Sequence, residues 1–356
     1  MDYFIDTIQR KKYNAGDKAP YDVSRICRKL GMKGIVLPAF PEERGKLYIK
    51  LWLLFACVPA WVGLWIRLGK NDSLLIQHPI YGIRIADWFI KLIKNTKGCR
   101  TFVLIHDLET LRKGIDKKTK ADNERDDIAD NILLKRFDKV ICHNEKMKDY
   151  LVSTGIEASR IVSLEIFDYL CKKTDPRQNS VKSPSVTVAG SLRQEKSGYI
   201  YELCENKDDR LTLHLYGKGF NGKDDEKVIY HGCFSPEELP SKLEGDFGLV
   251  WDGPSAKSCI GNTGEYLKYN DPHKTSLYLA AGMPVIVWEE AAIADFVREN
   301  KVGITVKSLF ELENEIEKVT DKEYEEMCAN AFEISKKLRQ GFFTERALKK
   351  CGIAKE

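Results

Sequence analysis

The sequence lacks the cysteine patterns of zinc ribbons and disulfide scaffolds. Its ten cysteines include no C-x-x-C pair, and most of them stand in or beside apolar runs. Short-spaced thiol pairs hold zinc, whereas disulfides are typical of secreted domains. The start MDYFIDTIQRKK has no apolar stretch after a basic region, so no secretion signal is expected. These absences predict reduced, buried thiols in a cytoplasmic protein.

Two further absences limit the chemistry. No D-x-D pair follows an apolar run, and no His or Cys cluster has the spacing of metal ligands. A metal-dependent transferase is therefore disfavoured, and no bound metal is expected. The formal net charge is only +4, which gives no electrostatic reason to expect a nucleic-acid partner.

The sequence also has no clear membrane-spanning segment. The run at 51–66 is uncharged for 16 residues, but it contains Pro59 and Gly63 and is flanked by Lys50 and Arg67. A spanning helix needs about 20 apolar residues, so a buried core helix is the first interpretation. The three tryptophans and the basic flanks are also typical of helices at a membrane surface, and peripheral membrane contact is the alternative.

Two series of short apolar runs and longer amphipathic stretches are present. Runs at 73–77, 101–105 and 139–142 alternate with amphipathic stretches in the first half, and the alternation resumes at 185–189. Such alternation predicts parallel sheets with helices on both faces. Because 356 residues exceed what one core accommodates, we expect an α/β protein with two Rossmann-like, doubly wound domains.

A polar segment with two prolines, KKTDPRQNSVKSP, interrupts the alternation between Lys172 and Pro184. Such composition is typical of a linker. We therefore expect an N-terminal domain at 1–172, a C-terminal domain at 184–335 and a closing helix at 336–356. Ligands of these sheets bind at the carboxyl ends of the strands, so the two domains are expected to face a central cleft.

The dinucleotide-binding pattern G-x-G-x-x-G occurs at Gly217, Gly219 and Gly222, after the apolar run LTLHLY. In a Rossmann domain this pattern opens a helix. Here the following residues, KDDEKVIYHG, predict a charged turn and another strand. We therefore expect Gly217 to belong to a turn that lets the backbone approach a ligand or a neighbouring segment, and we expect no NAD site.

Candidate anion-binding residues follow another run of the second half. Gly190, Ser191 and Arg193 come directly after SVTVA. A glycine turn frees backbone N–H groups there, and an arginine suits a diphosphate. A solvated loop arginine is the alternative.

A second candidate is a helix expected to begin after Asn270, Asp271 and Pro272, with a capped start, and to end at Gly282. Lys274 and Thr275 would then lie in its first turn. A cation at a helix N-terminus opposes the helix dipole unless an anion lies nearby, so an anion site is favoured over an exposed lysine.

Possible bases lie in the first half. His106 and Asp107 directly follow the run TFVLI, which places them at the carboxyl end of a strand. Either can accept a proton from a hydroxyl group, or Asp107 can instead cap the next helix. After the first run, the loop with Asn14, Ala15 and Gly16 is expected to approach the leaving group or the acceptor, although a simple turn also explains it.

Five segments together resemble a known family. They are NDPHKTSLYLAAGMPVIVW at 270–288, FGLVWDG at 247–253, LIHD at 104–107, LIQHPIYG at 75–82 and GFFTERAL at 341–348. In this order they resemble bacterial GT-B glycosyltransferases. The most similar groups are the β-1,6-galactofuranosyltransferases and the streptococcal glucosyltransferases that extend GlcNAc on serine-rich adhesins.

The resemblance implies a hexosyltransferase that moves galactofuranose or glucose from a UDP-sugar to a glycan, glycolipid or glycoprotein acceptor during polysaccharide or glycoprotein biosynthesis. It implies no metal or other cofactor, a homodimer or homotetramer for which 51–66 is a candidate surface, and a C-terminal helix that returns to the N-terminal domain. Around the UDP it places Arg193, Tyr216, His273, Lys274 and Thr275.

The carboxylate pair, spaced by seven residues, of many retaining GT-B enzymes is absent in that form, so the stereochemical outcome stays open. The alternative function is a non-catalytic GT-B-like partner that binds sugar nucleotide or glycan.

Overall fold

The computed structural model describes residues 1–6, 15–41, 44–114, 119–172, 184–206 and 210–353, with only the backbone described at Ala15 and Ala121. These residues form two compact units. The first comprises the described residues of 1–9, 20–164 and 344–356, and the second those of 10–19 and 165–343. Each unit contains one six-stranded sheet.

The first sheet is parallel throughout, with the strand order β2-β1-β3-β4-β5-β6. Its strands are β1 (Asp2–Asp6), β2 (Lys33–Val36), β3 (Ser73–His78), β4 (Arg100–Ile105), β5 (Lys139–Cys142) and β6 (Ile161–Ser163). The helices of this part of the chain are α1 (Lys18–Lys29), α2 (Lys46–Trp52), α3 (Val58–Arg67), α4 (Ile83–Lys97), α5 (Glu109–Lys113), α6 (Lys120–Asp127) and α7 (Glu145–Ser153).

The second sheet is also parallel, with the order β12-β11-β10-β7-β8-β9. Its strands are β7 (Ser185–Ser191), β8 (Thr212–Lys218), β9 (Val228–Gly232), β10 (Phe247–Val250), β11 (Val285–Trp288) and β12 (Gly303–Val306). The helices that follow are α8 (Gly198–Asn206), α9 (Gly261–Tyr266), α10 (His273–Ala280), α11 (Ile293–Asn300), α12 (Leu312–Glu317), α13 (Asp321–Gln340) and α14 (Phe342–Lys350). The prediction of two doubly wound α/β domains is confirmed.

The observed units differ from the expected domains at two places. Residues 165–172 were expected in the N-terminal domain and residues 336–343 in the closing helix, but both belong to the second unit. Hydrogen bonds explain this grouping. The Ser276 hydroxyl donates to the Phe167 carbonyl at 2.7 Å, and the Tyr169 amide donates to the Leu338 carbonyl at 3.2 Å. The expected linker falls largely within 173–183, outside the described residues.

The apolar runs become strands because both faces of each sheet are covered. All six residues of β3 are buried, as expected for a parallel strand between two helical layers. Helix α4 supplies one covering surface, since its buried residues recur every three or four positions; they are Ile83, Ala86, Phe89, Ile90 and Ile93.

The segment expected to form a core helix is mostly exposed. A π-helical turn at Leu53–Cys57 joins α2 and α3 into one helix, Lys46–Arg67. By length and composition this helix could cross a membrane, yet only 17% of its apolar window is buried. The core-helix prediction is therefore wrong for most of the segment. Pro59 lies inside this continuous helix, just after the π-helical turn. A proline has no N–H to donate to the carbonyl four residues before it, and a local π-helical turn is one way in which a helix accommodates such a break.

Helix α10 packs against β10 at a glycine. A Cβ placed on Gly248 would lie 2.1 Å from the Tyr278 ring, so only glycine lets this ring approach the strand. The Tyr278 hydroxyl accepts a hydrogen bond from the Ala189 amide of β7 at 2.8 Å. One side chain of α10 thus contacts both central strands of the second sheet and fixes the helix against them.

Substitution of Gly248 tests this packing. Gly248→Ala should destabilise the protein by about 1–3 kcal/mol, because the added methyl group overlaps the Tyr278 ring and forces it to move. At roughly 2–4 °C per kcal/mol for a unit of this size, the melting temperature should fall by several degrees.

The matched control is Gly63→Ala. Gly63 lies on the exposed side of α3, and its added Cβ would meet no atom within 4 Å, so the change should raise stability by up to about 1 kcal/mol. A Gly248→Ala protein that melts at the wild-type temperature would contradict the packing argument.

Candidate active site

The carboxyl ends of β7, β8 and β10 lie at the point where the second sheet reverses its strand order, the position at which such sheets bind ligands. Gly190 and Gly217 are paired there in register. Their φ angles are 141° and 145°, which side chains rarely allow. A Cβ on Gly217 would lie 1.7 Å from the Gly190 carbonyl oxygen. The strand ends therefore present bare backbone.

Lys274 lies across this backbone surface. A Cβ on Gly190 would be 3.4 Å from Lys274 Cε, and Lys274 Nζ donates to the Trp251 carbonyl, directly after β10, at 3.1 Å. That carbonyl partly offsets the conflict between the lysine and the helix dipole. An ammonium group has three N–H donors, and within the described chain one is engaged in this way.

The start of α10 differs from the expectation in one respect. Pro272 is the N-cap residue and supplies no side-chain hydrogen bond, so the predicted capped start is wrong, whereas the predicted first helical residue, His273, is confirmed. The predicted end is confirmed, because Gly282 follows the helix with φ of 70°. The backbone N–H groups of the first turn are therefore not satisfied by an N-cap side chain.

Thr275 contributes a buried hydroxyl. Its side chain is fully enclosed, and Thr275 Oγ1 has no hydrogen-bond partner among the residues the structure describes. A buried hydroxyl without a partner is costly. An acceptor oxygen from a bound ligand would remove that cost.

Arg193 approaches the same strand ends from the loop after β7. A Cβ on Gly219 would lie 2.4 Å from Arg193 Cγ, and Gly219 has φ of 88°. The loop is shaped by Ser197, whose hydroxyl donates to the Ser191 carbonyl at 2.8 Å. No helix follows this glycine pattern, since β8 ends at Lys218 and the next regular element is β9. The expected turn is present, and Gly219 makes room for Arg193.

His273 is packed inside the second unit. Its ring stacks on Tyr169 at 4.9 Å, and its Nε2 lies 3.4 Å from the Asp168 carbonyl. Burial, and secondarily the Lys18 ammonium group, lower the pKa of His273 to about 4. The imidazole is therefore neutral at physiological pH and orients the start of α10.

Tyr216 is engaged elsewhere. Its ring stacks on His231 with centroids 4.4 Å apart, and its hydroxyl donates to the Lys242 carbonyl at 2.8 Å. The structure thus brings together Gly190, Arg193, Gly217 and Lys274, but directs the Tyr216 side chain toward residues 242–244.

The first unit carries the expected bases. His106 Nε2 lies 2.7 Å from Gln77 Oε1, and Gln77 Nε2 donates to Ser24 Oγ at 3.1 Å. Because the amide oxygen only accepts, this arrangement assigns the imidazole proton to Nε2 and the lone pair to Nδ1. This hydrogen bond fixes the orientation of the His106 ring, and Nδ1 is a buried atom.

Asp107 has a partly exposed side chain. Its carboxylate lies 3.7 Å from Arg112 Nε and is 37% exposed, so this ion pair contributes little to stability. The N-cap residue of α5 is Leu108. Asp107 therefore does not occupy the cap position that was the alternative explanation for it.

Two residues that support the site, Asp130 and Lys18, have no signal in the sequence. His78 Nε2 pairs with Asp130 Oδ1 at 2.9 Å, and Asp130 Oδ2 accepts from both the amide and the hydroxyl of Thr110 at 2.7 Å. This network fixes the chain after β4. Gln77, at the end of the strand beside β4, was predictable from the parallel register, whereas Asp130 and Lys18 were not.

The loop after β1 is described only in part. Asn14 lies outside the described residues, and Ala15 and Gly16 belong to a 3-10 helix, Ala15–Asp17. Their expected approach to the ligand stays a prediction.

Family models match both halves of the chain. The model of the glucosyltransferase 3-like N-terminal domain matches residues 2–166, and that of the C-terminal domain matches residues 186–351. The chain is 36% identical to β-1,6-galactofuranosyltransferase WbbI of Escherichia coli, over 96% of this chain and 95% of that protein. It is 27% identical to glucosyltransferase 3 of Streptococcus gordonii, over 93% and 92%.

Solved glycosyltransferase structures share the fold. Sucrose-phosphate synthase of Thermosynechococcus elongatus gives a TM-score of 0.64 at 13% identity and covers 99% of this chain and 97% of its own. HepE of Anabaena in complex with UDP gives 0.59 at 13% identity and covers 99% of both. The predicted GT-B fold and family resemblance are confirmed: the chain belongs to the glucosyltransferase 3-like family and is a hexosyltransferase.

Proposed function

We propose that this enzyme transfers galactofuranose or glucose from a UDP-sugar to a hydroxyl group of a glycan, glycolipid or glycoprotein acceptor in cell-surface polysaccharide or glycoprotein biosynthesis. The observation that carries the proposal is the position of Lys274 beside the bare backbone of Gly190. The names of the E. coli and S. gordonii relatives support a hexose, and the HepE complex supports UDP.

The donor diphosphate is proposed to bind at the ends of β7 and β8. There the glycines allow close approach, the α10 N-terminus directs N–H groups at an anion, and Lys274 and Arg193 add positive charge. Thr275 supplies a hydroxyl donor. Because negative charge grows on UDP as the sugar leaves, these groups stabilise the transition state more than the bound donor. In this proposal they perform the task that a metal ion performs in other transferases.

The acceptor hydroxyl is proposed to lose its proton to His106 or Asp107. His106 is oriented by Gln77, and Asp107 offers a partly exposed carboxylate. A direct displacement with inversion needs one such base. Both residues directly follow β4, and this position supports the proposal that the first unit binds the acceptor.

Removal of the Lys274 charge tests the donor site. Lys274→Met keeps the length of the side chain and should weaken UDP binding roughly 10–100-fold, since a charge-assisted hydrogen bond is lost. Lys268→Met is the control, because Lys268 pairs with Glu265 and Glu290. Calorimetric titration of UDP and release of UDP from a panel of UDP-sugars provide the measurements.

Equal UDP affinity of the Lys274→Met and wild-type proteins would overturn the donor site. UDP binding without turnover of any UDP-sugar in the presence of acceptor would instead favour the non-catalytic partner.

Separate substitution of the two bases distinguishes them. The variant that lacks the true base, His106→Gln or Asp107→Asn, should lose about 10²–10⁴-fold in kcat with UDP affinity unchanged. Asp87→Asn is the matched control, because Asp87 pairs with Arg136 and takes no part in the site. Losses below tenfold in both variants would exclude both residues as the base.

We also propose that the helix Lys46–Arg67 holds the enzyme at the inner face of the cell membrane. Its exposed apolar residues include Leu47, Leu51, Leu54, Phe55 and Ile66. The first four residues recur at helical spacing. Lysines at 46 and 50 and Arg67 flank the apolar residues, an arrangement that suits anionic lipid headgroups.

Vesicle binding tests the membrane proposal. Leu54→Ser combined with Phe55→Ser should lower co-sedimentation with phosphatidylglycerol vesicles by roughly tenfold or more, since two apolar side chains no longer enter the lipid. Trp61 is unsuitable for substitution because it is fully buried and stacks on Phe89. Phe310→Ser, which alters an exposed aromatic of the second unit, is the control.

Unchanged sedimentation of the double variant would refute membrane docking. A homodimer or homotetramer that dissociates on the same substitution, without vesicle binding by the wild type, would assign the apolar face to contact between copies. Homo-oligomerisation stays a prediction.

A further inference from the structure

Two histidines and a glutamate come together in the second unit, away from any role proposed above. His214 lies on β8, His231 on β9, and Glu244 on the segment that leads into β10. His214 Nδ1 and His231 Nε2 are 3.0 Å apart, and Glu244 Oε2 lies 3.9 Å from His214 Nδ1. One ligand atom from each residue falls within 4.8 Å of the others.

Surrounding contacts hold these three residues in place. The Tyr216 ring lies parallel to the His231 ring, with an interplanar angle of 1°. The Tyr216 hydroxyl accepts from the Glu244 amide at 3.0 Å, and the Thr187 hydroxyl donates to the Glu244 carbonyl. Gly245, with φ of 94°, lets this segment lie close to His214. The backbone at Glu244 is thereby fixed above the two histidines.

We propose that His214, His231 and Glu244 bind a divalent transition-metal ion of the zinc class. Imidazole nitrogens and a carboxylate oxygen suit such an ion. Two nitrogens on tetrahedral zinc are roughly 3.3 Å apart, given Zn–N bonds of about 2.0–2.1 Å, and the observed 3.0 Å is close to this separation. The third ligand can adjust, because the Glu244 side chain is 64% exposed.

Metal binding requires a rearrangement of protons within the pair. Of His214 Nδ1 and His231 Nε2, one now donates a hydrogen bond to the other. When the ion binds, both of these nitrogens must be free of protons, so the donor ring must carry its proton on its other nitrogen. That is a change of tautomer in a neutral imidazole, with no net loss of a proton. A water molecule would complete a four-coordinate site.

The proposed ion would cross-link β8, the edge strand β9 and the segment before β10. It would therefore stabilise the second unit, and no step of sugar transfer needs it. This proposal can be tested independently of the proposed function, since metal binding and stability are measured without any sugar nucleotide.

The test uses full-length protein, stripped with EDTA and kept reduced, and titrated with Zn²⁺ or Co²⁺. We expect one tight equivalent per chain by calorimetry, a higher melting temperature, and cobalt d–d bands without thiolate charge transfer. His231→Phe keeps the ring that stacks on Tyr216 and removes the ligand nitrogen. Its affinity should fall by more than the roughly 10–100-fold cost of losing an outer partner of a metal site.

Two further variants complete the design. Glu244→Gln changes an exposed side chain, so this variant should fold even if His231→Phe does not. Its metal affinity should be weaker than that of the wild type, because a carboxylate ligand is lost. Cys233→Ser, two residues after His231, should bind as the wild type does. Wild-type affinity in both His231→Phe and Glu244→Gln would overturn the site, as would thiolate charge transfer that disappears in Cys233→Ser.

Discussion

The contact of Tyr278 with Gly248 is the constraint on which the donor half of the enzyme depends. This ring reaches β10 because position 248 has no side chain, and its hydroxyl joins the Ala189 amide. The contact fixes α10 against the two central strands. Lys274 therefore lies beside Gly190, and the Thr275 hydroxyl is buried without a hydrogen-bond partner among the described residues. The packing of the Tyr278 ring on Gly248 thus sets the positions of the polar residues of the site.

Much of this arrangement was predictable from the sequence. Parallel strands covered on both faces leave continuous apolar runs, so β3 and β4 were evident, and His106 was expected at a strand end. Lys274 was found because a cation in a first helical turn conflicts with the helix dipole. Such features depend on a few neighbouring residues, which the sequence displays directly.

Tertiary contacts account for what the sequence did not reveal. Asp130 pairs with His78 across 52 positions, and His214 meets His231 only through the pairing of β8 with β9. The run at 51–66 was interpreted as a core helix because buried and interfacial helices share one composition. The capped start predicted for α10 was also wrong, since the side chain of its N-cap residue, Pro272, cannot accept a hydrogen bond.

The π-helical turn at Leu53–Cys57 has a consequence for the exposed helix. Helix α2 has no buried residue, whereas α3 is anchored by Trp61 and Leu64. A π turn holds one residue more than an α turn, and each residue rotates the following side chains by roughly 100°. The turn therefore changes the direction in which the side chains of α3 point relative to those of α2. Its length, more than its side chains, decides which residues of α3 meet the protein.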